Sequence, residues 1–154
     1  MAYDIESLLT DIETILKASL SAKLTAITTE KGDSITLTAV NNSAYVYDLD
    51  DKEMNYDPFI LMFPMGPESE GIGPATIETI TININLFLND NANDQNIYKK
   101  MFRYQRAIKE VIQTNFQRGY GKLSIQALPV LSWQSSPTSQ KYKIASVNII
   151  CTMA

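Results

Sequence analysis

The densest run of ligand-type side chains in the 154-residue sequence is Asp48-Leu49-Asp50-Asp51-Lys52-Glu53. Closely spaced carboxylates are the raw material of a calcium loop or of a carboxylate acid–base site. A calcium loop is disfavoured here. Lysine stands at the fifth position, where an oxygen ligand is wanted, and glutamate at the sixth, where glycine makes the turn. What remains is a solvated acidic loop over Asp48–Asp57 or a contact patch for a basic surface. The chain has no histidine. That removes the commonest general base, the usual serine and cysteine dyads and most zinc sites. The single cysteine, Cys151, precedes Met153 by two residues in an apolar stretch and reads as a small buried side chain. Gly71-Ile72-Gly73 lacks the third glycine of a dinucleotide loop, and no phosphate-loop lysine follows it. No catalytic residue, metal ligand set or cofactor site is expected, and the chain is read as a non-enzyme. A histidine-free carboxylate site within Asp48–Asp57 is the one catalytic alternative.

The other chemically loaded group is cationic. Residues 1–96 hold sixteen of the seventeen acidic side chains and four lysines, for a charge of -12, whereas residues 97–154 hold nine Lys/Arg and Glu110, for +8. The net charge of -4 hides this division. Lys99, Lys100, Arg103, Arg106 and Lys109 fall in one expected helix. On its wheel Tyr98 and Phe102 lie off the apolar stripe, beside Lys109 and Arg106. Aromatics flanked by Lys/Arg on a helix surface suit a protein interface. They equally suit burial under a loop of the same subunit. The acidic balance of the whole chain argues against non-specific nucleic-acid binding.

Positioning these groups falls to a modest set of elements. The length fits one domain over residues 1–154, and 45% apolar residues supply a core. No run approaches the roughly 18–20 apolar residues of a membrane span. No signal peptide is visible at the N-terminus, and one cysteine suits a reducing compartment. Ile5, Leu8, Leu9, Ile12, Ile15, Leu16 and Leu20 recur at three- and four-residue spacing and predict a helix from about Asp4 to about Ser19. Whether Ala22–Thr29 extends it is left open by the pattern. Lys31-Gly32-Asp33-Ser34 reads as a turn, and the alternation of Ile35, Leu37 and Ala39 predicts a strand. Ala44–Tyr47 reads as a short strand or extended run.

Pro58 opens the apolar run Phe59–Phe63, a strand covered on both faces that loses its regularity at Pro64. Gly66–Pro74 reads as a flexible excursion. Thr76–Leu88 alternates with period two throughout, placing Ile80, Ile82, Ile84, Leu86 and Leu88 on one face. With the preceding run it predicts a long-tipped antiparallel hairpin. A helix follows from about Asp94 to about Asn115, with Ile97, Met101, Tyr104, Ile108, Val111 and Ile112 within roughly 100° of arc. Two strands, about Lys122–Trp133 and Gln140–Met153, close the chain. The expected fold is α+β, a mainly antiparallel sheet with two long helices packed on it.

This order resembles the tail terminators and related tail-completion (neck) proteins of long-tailed bacteriophages. The resemblance covers about Asp4 to Met153. It rests on the N-terminal amphipathic helix and on the acidic, aromatic approach Tyr45–Tyr56 into Pro58-Phe59-Ile60-Leu61-Met62-Phe63. It rests further on the alternating strand Thr76–Leu88 leading through an Asn/Asp turn into the helix with Met101-Phe102-Arg103-Tyr104-Gln105-Arg106-Ala107-Ile108, and on the terminal strand pair. It implies a structural virion subunit, assembled in the host cytoplasm, that forms a hexameric ring at the head-proximal end of the tail. Such a ring ends tube polymerisation and joins the tail to the neck or head. The partners implied are further copies of the chain, the tail tube protein and a neck or head-completion protein. DNA only passes through the lumen, and no membrane is involved. A head-completion or connector subunit, or a non-viral adaptor domain, is the alternative.

A ring needs a heterologous interface, one surface of a subunit against a different surface of the next. The charge division suggests Lys99, Arg103 and Arg106 facing Asp48, Asp50 and Asp51 of the adjacent subunit, with apolar burial at Tyr98 and Phe102. Glu68 and Glu70, in the Gly/Pro-rich tip, are candidates for contact with the tube or the neighbouring neck ring; a bare surface loop is the other reading.

Overall fold

Leu8, Ile12, Leu16, Leu20, Leu24 and Ile27 are all buried along the first helix, α1 (Ile5–Lys31). The computed structural model describes residues 5–47, 56–70, 77–116, 122–134 and 141–153. The helix passes the expected end near Ser19 and settles the open segment. Leu24 and Ile27 continue the stripe, and the threonines that weaken the local helical signal are accommodated. The hydroxyls of Thr25, Thr28 and Thr29 donate to the carbonyls four residues earlier, at 2.9–3.2 Å. Gly32 ends the helix with φ +62°, the left-handed geometry glycine adopts freely, and its N–H donates to the Thr28 carbonyl at 3.2 Å.

The strand expected over Ile35–Ala39 does not form. Its backbone meets side chains instead of a neighbouring strand. The Ile35 N–H donates to Asp33 Oδ1 at 3.1 Å, and the Thr38 carbonyl accepts from Tyr104 Oη at 2.8 Å. Ile35 is nonetheless buried and Leu37 packs on the core, which explains the alternation.

The sheet has six strands: β1 (Tyr45–Val46), β2 (Phe59–Glu70), β3 (Ile77–Asn89), β4 (Lys122–Ala127), β5 (Leu131–Gln134) and β6 (Lys141–Met153). Their order is β1-β2-β3-β6-β4, with β5 also paired to β6. The β1–β2 pair is parallel and the rest are antiparallel. The fold class is α+β, as expected. The β2–β3 hairpin is present, but β2 does not stop at Pro64. Residues 66–70, expected in a loop, continue the ladder, and Glu68 and Glu70 pair with Thr79 and Ile77. The register shifts between Pro64 and Pro67, which pair with Ile82 and Ile80, so that Met65 and Gly66 stand against Thr81 alone and the ladder passes two residues that bring no N–H. The tip, residues 71–76, lies outside the described residues.

The second helix, α2 (Ile97–Asn115), buries the predicted stripe. With α1 it covers one sheet face, where Ile80, Ile82, Ile84, Leu86 and Leu88 meet Ala145, Val147, Ile149 and Cys151 in one core. The opposite face carries a smaller cluster of Ala44, Val46, Phe59, Leu61, Phe87 and Tyr142, with the Phe59 and Phe87 rings stacked at 4.7 Å. Beside it runs a polar row. Asn83 donates to Asn148 at 2.7 Å, Asn85 to Asn83, and Ser146 to Asn85 at 2.6 Å.

The single strand expected over Lys122–Trp133 is split by Leu128-Pro129-Val130. Gln105 of α2 fills the gap. Its side-chain amide donates to the Leu128 carbonyl at 2.6 Å and to the Ser146 carbonyl at 3.1 Å.

Candidate functional site

The outward side of α2 meets the end of α1 along one edge and β4 along the other, and here most of the predicted site residues lie. Arg103 was expected on the far side of the helix from the core. It is only 7% exposed. Its guanidinium forms a two-pronged pair with Asp33, just past the end of α1, at 3.0 and 2.5 Å. That charge-assisted fork is the strong form of the interaction. It holds the Asp33 carboxyl down to about 2, with the bond from the Ile35 N–H assisting, and it raises Arg103. Arg106 is shared between Glu30 of α1 and Glu110, one turn on, whose Oε1 lies 3.1 Å from Nε. Both partners are lowered in consequence. Arg106 leads for Glu30, while the Lys23 ammonium leads for Glu110, at 2.7 Å from Oε2. The two arginines therefore join α2 to α1 within one chain.

Lys99 and Lys109 are different. Neither forms an ion pair with a described residue. Phe102 stands between them, 57% exposed. On one side of its ring is a groove of about 320 Å³ lined by Lys31, Lys99, Phe102, Arg103 and Arg106. On the other is a groove of about 480 Å³ that runs past Arg106 and Lys109 to Ala127 on β4. Around Phe102 six cationic side chains (Lys23, Lys31, Lys99, Arg103, Arg106, Lys109) face three carboxylates (Glu30, Asp33, Glu110). The surface keeps a positive excess after the internal pairs are made. A projecting aromatic side chain flanked by grooves and surplus cations is equipped for protein contact.

Tyr98 is 49% exposed but partly engaged within its own chain. The Lys143 ammonium sits 5.2 Å from the ring centre and also donates to Ser132 Oγ at 2.6 Å. Of the two aromatic shoulders, Phe102 is the freer. Asp48, Asp50 and Asp51 lie outside the described residues. Exposed tyrosines stand at both ends of that segment, Tyr47 at 47% and Tyr56 at 39%. Glu68 and Glu70 are placed by the backbone of β2, far along the hairpin.

Sequence reasoning missed Asp33 and Glu30 as partners of the arginines, because those pairings depend on where α1 ends. It also missed Gln105, whose amide has no periodic signature. Among the described residues no group of three or more His, Cys, Asp or Glu is placed to hold a metal ion.

No family model and no curated protein matches the sequence. Among solved structures the fold is similar to a chain in the virion of a native gene transfer agent (GTA) particle. The TM-score is 0.41 at 11% identity, over 90% of this chain and 95% of that one. A likeness at that level carries no function across.

Proposed function

We propose that the chain is a non-catalytic structural subunit of the tail-terminator or tail-completion kind. It would assemble as a ring, hexameric by resemblance to that family, at the head-proximal end of a phage tail. There it would end tube growth and join the tail to the neck, with DNA passing through the lumen. The observation that carries an assembly role is Phe102, a large apolar side chain exposed between two cation-lined grooves on an otherwise well-packed helix. The order of helix, hairpin, helix and terminal strands supports the family resemblance drawn from the sequence.

The test is imaging of the purified full chain by negative stain, with its mass measured in solution. A closed ring with an open lumen is expected, and Phe102→Ser, at an exposed site, should leave thermal unfolding unchanged while dispersing the ring. A wild-type chain that stays monomeric up to high micromolar concentration overturns the ring. In particle-producing cells the chain should co-purify with tails; recovery with tail-less heads alone would move the role to head completion.

A further inference from the structure

We propose that the open edge of β4 takes up an extended, acid-bearing segment of a different protein as one more strand of the sheet. The backbone of β4 faces two ways. The Leu128 N–H donates to the Ser146 carbonyl at 3.0 Å, and the ladder pairs Gln126 with Asn148, Ser124 with Ile150 and Lys122 with Thr152. Hydrogen-bonded residues alternate along an antiparallel strand, so these residues direct their N–H and C=O groups to β6. Leu123, Ile125 and Ala127 turn theirs away from β6, and no hydrogen bond reaches them from a described residue. Three outward donors and three outward acceptors, with no proline among them, are a template for a further strand. Half the side chains of such a strand follow Leu123, Ile125 and Ala127 to the helical side of the sheet. There the groove of about 480 Å³ opens between Ala127 and α2, lined on the helix by Arg106, Lys109, Glu110 and Gln113. Pockets for alternate side chains are what give strand addition its specificity. Lys109 has no ion pair with a described residue, and Glu110 is already shared by Lys23 and Arg106. The groove therefore favours a carboxylate on the incoming strand.

The edges of a second copy are poorly made to supply that strand. At the far end of the sheet β1 has only two residues. Beyond β1 the open side belongs to β2. Ile60 gives its N–H to the Ala44 carbonyl, so Met62 and Pro64 face the same open side, and after the register shift Pro67 and Ser69 do. The two prolines have no N–H to offer the β4 carbonyls, which is how natural edge strands are kept from pairing. Pairing β4 with β4 of a second copy about a two-fold axis sets both helical layers on one side of the joined sheet. The cationic edges of the two α2 helices, with Arg106 and Lys109, then face each other, like charge on like. An extended chain with no helical layer of its own meets neither obstacle.

The probe is a capped, fluorescently labelled peptide of alternating valine and glutamate, titrated into the full-length chain and followed by anisotropy. Saturable binding is expected, about ten-fold or more tighter than for the same peptide with lysine in place of glutamate. Full N-methylation of the peptide keeps every side chain, removes every N–H and is expected to abolish binding. Ala127→Pro removes an outward N–H at an exposed position and leaves the bonds to β6 in place. It is expected to weaken binding about ten-fold with thermal unfolding unchanged. Should that variant unfold, the N-methylated peptide decides alone. Absence of binding up to millimolar peptide overturns the inference, as does equal binding of the N-methylated form or wild-type affinity in folded Ala127→Pro. Loss of a wild-type oligomer in folded Ala127→Pro also overturns it, because a copy would then cover the edge. The ring is tested separately: a monomeric wild type removes the ring and leaves β4 open to the peptide, while a peptide that fails to bind leaves the ring standing.

Discussion

The Arg103–Asp33 pair ties the outgoing end of α1 to the middle of α2, and it does so where the surrounding surface is rich in charge. Its pH dependence has a definite sign. Folding lowers the Asp33 carboxyl to about 2. Free aspartate titrates at about 3.9, so below that pH the unfolded state takes up a proton that the folded state resists. The contribution is fully present above about pH 5 and is lost as pH falls toward 2. Asp33→Asn should therefore unfold at lower temperature than wild type at pH 7. The gap should narrow steadily between pH 5 and pH 2 in calorimetric scans. A gap that stays constant across that range would show that the pair does not act through the carboxylate charge. Arg106 is a different case. Of its partners Glu30 is exposed, where solvent and salt weaken the attraction, and the half-buried Glu110 is shared with Lys23. Truncation of Arg106 should cost less stability than truncation of Arg103, and the difference should shrink further in salt.

At the scale of elements, the split between β4 and β5 depends on one side chain from the helix above. Pro129 supplies no N–H, and the chain departs from the ladder for three residues. Gln105 answers by donating to the carbonyls of Leu128 and Ser146. The Ser146 carbonyl also accepts from the Leu128 N–H at 3.0 Å, so without the amide it is the half-buried Leu128 carbonyl that loses its donor, at a cost near the lower end of about 1–3 kcal/mol. Gln105→Met keeps most of the volume and removes both bonds, so it should destabilise by about that amount, with Tm falling about 2–4 °C for each kcal/mol. Chemical denaturation that finds Gln105→Met within a few tenths of a kcal/mol of wild type would refute the stapling role. This is also where the sequence was least legible. The period-two pattern of β3 and the apolar stripe of α2 reported their elements faithfully, because each lies against one continuous apolar layer. Alternation at Ile35 and Leu37 misled, since burial of two side chains can occur without a strand partner. The prolines of β2 misled in the opposite sense, because a register shift let the ladder continue past them. For the candidate site, Tyr98 and Phe102 were legible as off-stripe aromatics. The internal engagement of Arg103 and Arg106 was not, because it is set by the end of α1, some seventy residues earlier in the chain.

For the whole molecule, the consequence of pairing both arginines internally is a division of labour across the helical layer. The arginines fix α2 against α1, and Lys99 and Lys109, which have no ion pair with a described residue, are left to define a surface with Phe102. If that surface receives a different surface of a neighbouring copy, as a ring requires, proximity between copies follows a direction. A chain carrying Tyr56→Cys and Gln113→Cys places one thiol at an exposed position just ahead of β2 and one in the larger groove, leaving Phe102 intact. The native cysteine does not interfere. Cys151 is fully buried, and burial pushes its thiol up to about 11, so it presents little thiolate at neutral pH. A short bismaleimide should then link such chains into a ladder of dimer, trimer and higher species on a denaturing gel, the highest rung giving the ring order. Either single-cysteine variant should yield no ladder, because a heterologous contact brings like positions no closer together. A two-fold contact would do the reverse, linking a single-cysteine variant to itself and stopping at the dimer. An assembled double variant that gives no species above the dimer would therefore exclude a head-to-tail ring through these surfaces.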